Sequence, residues 1–106
     1  MTDKIATLLA QLRAGLERLY GERLVKVILF GSRARGDADP DSDIDVLVVL
    51  KGPVSPWEEI ERTEYLVADL SLEHAEVLAC VFISEKEFNE DRTPLLLNVR
   101  REGVPV

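Results

Sequence analysis

The sequence predicts an α/β sandwich with its elements in the order α-β-α-β-α-β-α. Three observations carry this prediction. The apolar runs Val25 to Phe30, Ile44 to Leu50 and Val77 to Ile83 have the length and β-branched content of strands. Stretches with helical periodicity and helix-start signals stand between and around them. Strands alternating with helices bury their apolar faces against one another in layers.

Residues 2 to 20 place Ile5, Leu8, Leu9, Leu12, Leu16, Leu19 and Tyr20 at helical spacing, with Thr2 as cap and Gly21 as stop. The first strand covers 24 to 30. Gly31 punctuates it, a short helical turn spans Ser32 to Arg35, and a polar loop with Pro40 inside runs from Gly36 to Ser42. The second strand covers 43 to 50 and stops at Gly52-Pro53. Ser55-Pro56-Trp57-Glu58 has the form of a capping box. It predicts a helix from 56 to about 71, with Trp57, Ile60, Val67 and Leu70 inward. The third strand lies within 76 to 83. Ser84-Glu85-Lys86-Glu87 is a second capping box and starts a short helix. Thr93-Pro94 starts the last helix, through Arg101, ended by Gly103. Leu95, Leu96 and Leu97 spread round that helix, so one of them is left for an interface.

The 106 residues suit one domain, 1–106, with one core. A 46% hydrophobic and 31% charged composition is that of a globular protein. The longest apolar run is too short to span a bilayer, and no signal-peptide core is present, so the expected location is cytoplasmic. With 13 Lys and Arg against 20 acids, the net charge of −7 argues against broad nucleic-acid binding, which needs clustered cations. A small phosphate ligand held by metal and local donors is not excluded. Cys80 is the only cysteine, so no internal disulfide forms; it reads as a small buried hydrophobe. His74, the only histidine, reads as a surface loop residue.

The stretch Gly31 to Asp45 carries the chemistry. Asp43 and Asp45 open the second strand, although Asp is depleted in strands and a buried charge needs a partner. Residues two apart on a strand share a face, which sets these Cα atoms roughly 6.5 Å apart. Two carboxylates so placed suit Mg²⁺ or Mn²⁺. Gly31 permits close backbone approach, and Ser32 offers a hydroxyl and an amide at the start of a helical turn. Arg33 and Arg35 either reach a phosphate or pair with Asp37, Asp39 or Asp41. Ser42 joins Gly31, Ser32, Arg33 and Arg35 as a candidate nucleotide-binding residue. An EF-hand starting at Asp37 fails, because Ser42 and Val48 stand where Gly and Glu are required. No Gly-Lys-Ser/Thr makes a P-loop.

Gly31-Ser32, ten intervening residues, then Asp43-Ile44-Asp45 resembles the signature of the DNA polymerase β-like nucleotidyltransferases. The string GSRARGDADPDSDIDVLVVL and the tail Asn98 to Val104 are similar to the minimal nucleotidyltransferase (MNT) group. The resemblance implies a small mixed β-sheet flanked by helices, a palm-like α+β fold. It implies Mg²⁺ on Asp43 and Asp45, and the triphosphate of ATP against Gly31 and Ser32. The implied reaction moves a nucleoside monophosphate to a hydroxyl and releases pyrophosphate. The family pattern adds a third carboxylate on the next strand. Glu76 is the only acid at that strand's edge: it is either a catalytic metal ligand beside Asp43 and Asp45 or a solvated strand-end acid.

Two functions follow from the resemblance. The first is an antitoxin that adenylylates a helical HEPN-domain toxin. The second is a catalytically weak scaffold that neutralises such a partner by contact, its acidic surface covering a basic face. A transferase acting on RNA or a small molecule is a third option, disfavoured by the charge and by the lack of room for a second domain.

Overall fold

The computed structural model describes residues 2–36 and 41–106. Helix α1, Asp3–Tyr20, starts where Thr2 accepts a hydrogen bond from the Ile5 amide and ends at Gly21. A 3-10 turn, Gly21–Arg23, leads into β1, Leu24–Phe30. One helical turn, α2, Ser32–Arg35, precedes β2, Ile44–Leu50. Helix α3, Pro56–His74, carries the chain to β3, Leu78–Ser84. Helices α4, Glu85–Glu90, and α5, Pro94–Glu102, follow, and β4, Val104–Pro105, ends the chain.

The four strands form one mixed sheet in the order β3-β2-β1-β4. β1 runs antiparallel to β2 and β4, while β2 and β3 are parallel. The parallel pair requires a crossover, and α3 supplies it. On one face of the sheet, Leu8, Leu9, Leu12 and Leu16 of α1 pack on Val27, Leu29, Ile44, Val46, Val48 and Leu50. Each such leucine, fully buried, contributes about 1.5–3 kcal/mol. On the other face, Leu96 and Val99 of α5 cover Ile28, Leu47 and Val49. Burial on both faces explains why β2 is a nearly continuous apolar run rather than an alternating one. Asp45 shares the face of Leu47 but precedes it in the strand and lies outside that apolar cluster.

The structure corrects four expectations. Trp57 and Ile60 do not face inward; they are 70% and 48% exposed. The buried face of α3 is Glu59, Thr63 and Leu70, with Leu66 and Val67 packed partly against the core. Positions 59, 63, 66 and 70 form one helical stripe. Its Glu hid it from a reading based on apolar residues, because Glu59 is buried through partners: Tyr20 donates its hydroxyl proton to Oε1 at 2.8 Å, and Arg62 Nη1 lies 2.7 Å away. Ser55 makes no side-chain capping bond, and α3 continues three residues beyond 71. His74 is not in a loop: it ends α3, and its Nε2 lies 2.6 Å from Gln11 Oε1 on α1. Finally, β4 was not expected, since two residues carry no periodicity.

Other details agree with the sequence. Ser84 and Glu87 form the reciprocal capping box, and Thr93 caps α5. Leu96 is buried while Leu97 is 49% exposed. Cys80 packs against the core, and burial pushes its thiol up to about 12. No described helix is long and apolar enough to cross a membrane.

Candidate functional site

The antiparallel pairing of β1 and β2 places Phe30 opposite Asp45. The chain therefore leaves β1 at Gly31 beside the point where it enters β2. Gly31 has φ +76°, a region costly for other residues. A Cβ built on it would stand 2.6 Å from Asp45 Oδ2. The bare backbone is thus required twice, by conformation and by the carboxylate lying against it. The Gly31 carbonyl accepts from the amides of Ala34 and Arg35, which winds α2 immediately after it, with Ser32 as its first residue. Gly36, at φ +80°, closes the turn.

Asp43 is exposed just before β2, and Asp45 is half-buried within it. Burial, and then the negative charge of Asp43, raise the Asp45 carboxyl above its ordinary range. The two acids therefore lie close enough to oppose each other's ionisation, and Ile44 between them is fully buried on the opposite face. A cation shared by the two would relieve that repulsion. Among the described residues, no group of three or more His, Cys, Asp or Glu is placed to hold a metal. A two-carboxylate set still fits Mg²⁺, which takes one or two carboxylates and completes its shell with phosphate and water.

For Glu76, expected either as a third ligand or as a solvated strand-end acid, the structure gives the partners of the side chain. In the parallel register Ile44 aligns with Leu78 and Asp45 with Ala79. Glu76 stands two residues before β3 begins. Its side chain, 11% exposed, is held by Arg33 Nη2 at 2.8 Å and Lys4 Nζ at 3.5 Å. The β3 residue in register with Asp45 is alanine.

Arg33 also donates to the Ser42 carbonyl, at 3.2 Å from Nε and 3.0 Å from Nη2. What Ser42 brings to the site is thus a backbone acceptor just before Asp43. Arg35 Nη1 lies 3.3 Å from Glu102 Oε2 of α5. The expected pairing of the arginines with Asp37 or Asp39 lies outside the described residues. Lys4 and Glu102 had no signal in the sequence. They stand far along the chain from the motif and read as ordinary helix-surface charges.

The pattern of the nucleotidyltransferase domain family matches residues 9–100. The Methanocaldococcus jannaschii protein named “Putative protein adenylyltransferase MJ0141” is 29% identical over 103 residues, 97% of this chain and 99% of its own length. “Protein adenylyltransferase MntA” of Thermococcus cleftensis is 39% identical over 70 residues, 66% of this chain and 69% of its own. Among solved structures, one described as a “putative minimal nucleotidyltransferase” superposes with a TM-score of 0.60 at 28% identity, covering 95% of this chain and 94% of that one. A chain from the complex of the tri-AMPylated Shewanella oneidensis HEPN toxin with MNT antitoxin shares the fold. Its TM-score is 0.53 at 17% identity, covering 92% of this chain and 70% of that one. From the family pattern and these likenesses together, the chain belongs to the nucleotidyltransferase domain family, as a minimal nucleotidyltransferase of the DNA polymerase β-like superfamily.

Proposed function

We propose that this protein transfers AMP from ATP to a hydroxyl of a protein partner, and that the partner is a helical HEPN-domain toxin. The observation that carries the reading is the packing of the Gly31 backbone against Asp45, with Asp43 beside it and Ser32 opening α2. Asp43 and Asp45 would hold Mg²⁺, which when bound neutralises phosphate charge and orients the reacting groups. Gly31 lets the nucleotide's phosphates approach the backbone that runs beside those acids. Ser32 offers its hydroxyl and amide to the triphosphate. The acceptor hydroxyl oxygen bonds to the α-phosphorus as the bond to pyrophosphate breaks and the hydroxyl proton passes to solvent, and aligning these groups is the main task of such a site. Names support the class of reaction: relatives at 29% and 39% identity carry protein adenylyltransferase in theirs. The partner rests on the HEPN–MNT complex whose fold this chain shares.

The test is incubation with labelled ATP, Mg²⁺ and the HEPN-domain product of a neighbouring gene. Label should move to that protein with wild-type chain and not with Asp43→Asn. No transfer by the wild type, or transfer undiminished in the variant, overturns the proposal.

One observation favours a second reading, a scaffold that binds its partner without modifying it. Glu76 is engaged elsewhere, and Ala79 stands in register with Asp45. This reading expects Asp43→Ala, Asp45→Ala to neutralise the toxin as well as wild type. Loss of neutralisation by that variant, folded by circular dichroism, sinks it.

A further inference from the structure

We propose that Glu76 acts through Arg33 as a clasp that holds the two halves of the nucleotide site together, making it a positioning residue. This rests on the site proposed above. One half of that site, Gly31 and Ser32, lies before the loop; the other, Asp43 and Asp45, lies after it. Arg33 directly follows Ser32, and Ser42 directly precedes Asp43. The Arg33 guanidinium donates to the Ser42 carbonyl at 3.2 and 3.0 Å, so one side chain ties the two ends of the loop.

Glu76 anchors that side chain to the rest of the fold. Its Oε2 takes Arg33 Nη2 at 2.8 Å, with the two side chains 13% and 11% exposed. Such a shielded, charge-assisted contact is worth more than an open surface pair. Its other oxygen, Oε1, lies 3.5 Å from Lys4 Nζ, whose side chain is 51% exposed and adds little. The anchor is itself rigid. The carbonyl of Val77, next to Glu76, accepts from the Ile44 amide at 2.8 Å, between Asp43 and Asp45. Glu76, Arg33, Ser42 and the entry to β2 thus form a closed circuit through the Glu76–Arg33 pair, the Arg33 contact with the Ser42 carbonyl and the Ile44–Val77 backbone bond. Arginine is required in it because its planar fork addresses a carbonyl and a carboxylate at once, which a single ammonium on a flexible stem does not.

The carboxylate of Glu76 already engages two cations, Arg33 and Lys4. It governs how the segments 31–36 and 41–45 sit against each other and does not touch the reacting groups. Removing it should loosen these segments and weaken nucleotide binding while the chemistry, once nucleotide is bound, continues.

The test compares Glu76→Ala, Glu76→Gln, Arg33→Lys and the exchange Arg33→Glu with Glu76→Arg. Three readouts apply: ATP affinity with Mg²⁺ by calorimetry, KM and kcat for transfer, and hydrogen exchange of the amides at 32–36 and 41–44. Glu76→Ala and Arg33→Lys should raise Kd and KM about tenfold, at the low end of the effect of residues that support a ligand set. kcat should stay nearly unchanged, and exchange at both segments should accelerate. The charge exchange should restore none of the affinity lost in Glu76→Ala, because a carboxylate at position 33 has no proton to donate to the Ser42 carbonyl. Wild-type affinity and exchange in Glu76→Ala overturn the clasp. So does a collapse of kcat and Mg²⁺ affinity with exchange unchanged, which would make Glu76 a metal ligand. If Glu76→Ala does not fold, Glu76→Gln decides on the same criteria. Exchange and ATP binding need no acceptor, so absence of transfer by the wild type counts against the proposed function and not against the clasp.

Discussion

Replacing Gly31 with alanine should damage function more than stability, and the structure gives the sizes. Two penalties apply. The backbone at φ +76°, ψ −160°, a region essentially confined to glycine, costs another residue about 1–3 kcal/mol. The new Cβ would also stand 2.6 Å from Asp45 Oδ2, far inside contact distance. That atom is the free end of a short side chain at the edge of the second apolar cluster, so rotation of the carboxylate relieves the clash with little added loss of stability. The rotation moves an oxygen proposed to bind the metal by an ångström or more. A misplacement of about 1 Å at a reacting centre costs on the order of a hundredfold. Urea denaturation should therefore show a loss of about 1–3 kcal/mol, while labelled AMP transfer falls about a hundredfold. Gly52→Ala is the control. Gly52 also has positive φ, +77°, but no atom within 4 Å of its would-be Cβ, so it should lose similar stability and keep activity. Gly31→Ala with wild-type transfer, or Gly52→Ala equally inactive while folded, would refute the reasoning.

Further outcomes follow from the same contacts. Asp45 has a raised carboxyl pKa, so the folded state takes up a proton more readily than the unfolded chain, and its ionisation costs stability as pH rises through the raised value. Asp45→Asn should therefore be more stable than wild type at pH 7, with the urea midpoints converging as pH falls toward about 4. Mg²⁺ should raise the melting temperature of wild type and not of Asp43→Asn, Asp45→Asn, because only a site present in the folded state shifts the equilibrium. Glu59 is 2% exposed and shared by Tyr20 and Arg62; Glu59→Ala should cost about 2–3 kcal/mol in urea and Tyr20→Phe about 1. Neither should alter AMP transfer per folded molecule, since both residues lie on the α1–α3 side of the sheet. Cys80, its thiol pushed up to about 12 by burial, should react with iodoacetamide at pH 8 only once the chain is unfolded.

Where cause is local, the sequence reading and the structure agree closely. β1 matches its expected span, 24 to 30, residue for residue, and α1 departs by one residue at its start. The caps at Thr2, Ser84 and Thr93 need only a hydroxyl and the amide three residues on. The neighbourhood of Gly31, Asp43 and Asp45 was legible for a related reason: a strand, a turn and an antiparallel strand bring the ends of one loop together. Agreement fails where the answer lies across the fold. The inward face of α3 was misplaced by about a quarter-turn or more because a buried glutamate interrupts the apolar stripe. That glutamate is tolerated only because Tyr20, 39 residues earlier, donates to it.

Sequence by itself determined the order of the first three strands and the helices around them, the apolar face of α1, and the spacing that sets Gly31 and Ser32 against Asp43 and Asp45. Tertiary structure alone decided which side chains Glu76 meets. That depends on the register of β3 against β2, and those parallel strands meet only after a 19-residue helix has crossed the sheet. Nothing in the local pattern of residues 76 to 83 encodes that register. It is set by which side chains of β3 find the core under α1 and α3. The same packing carries Glu76 to Arg33, 43 residues away in the chain, and makes an acid that resembled a metal ligand into the partner of an arginine.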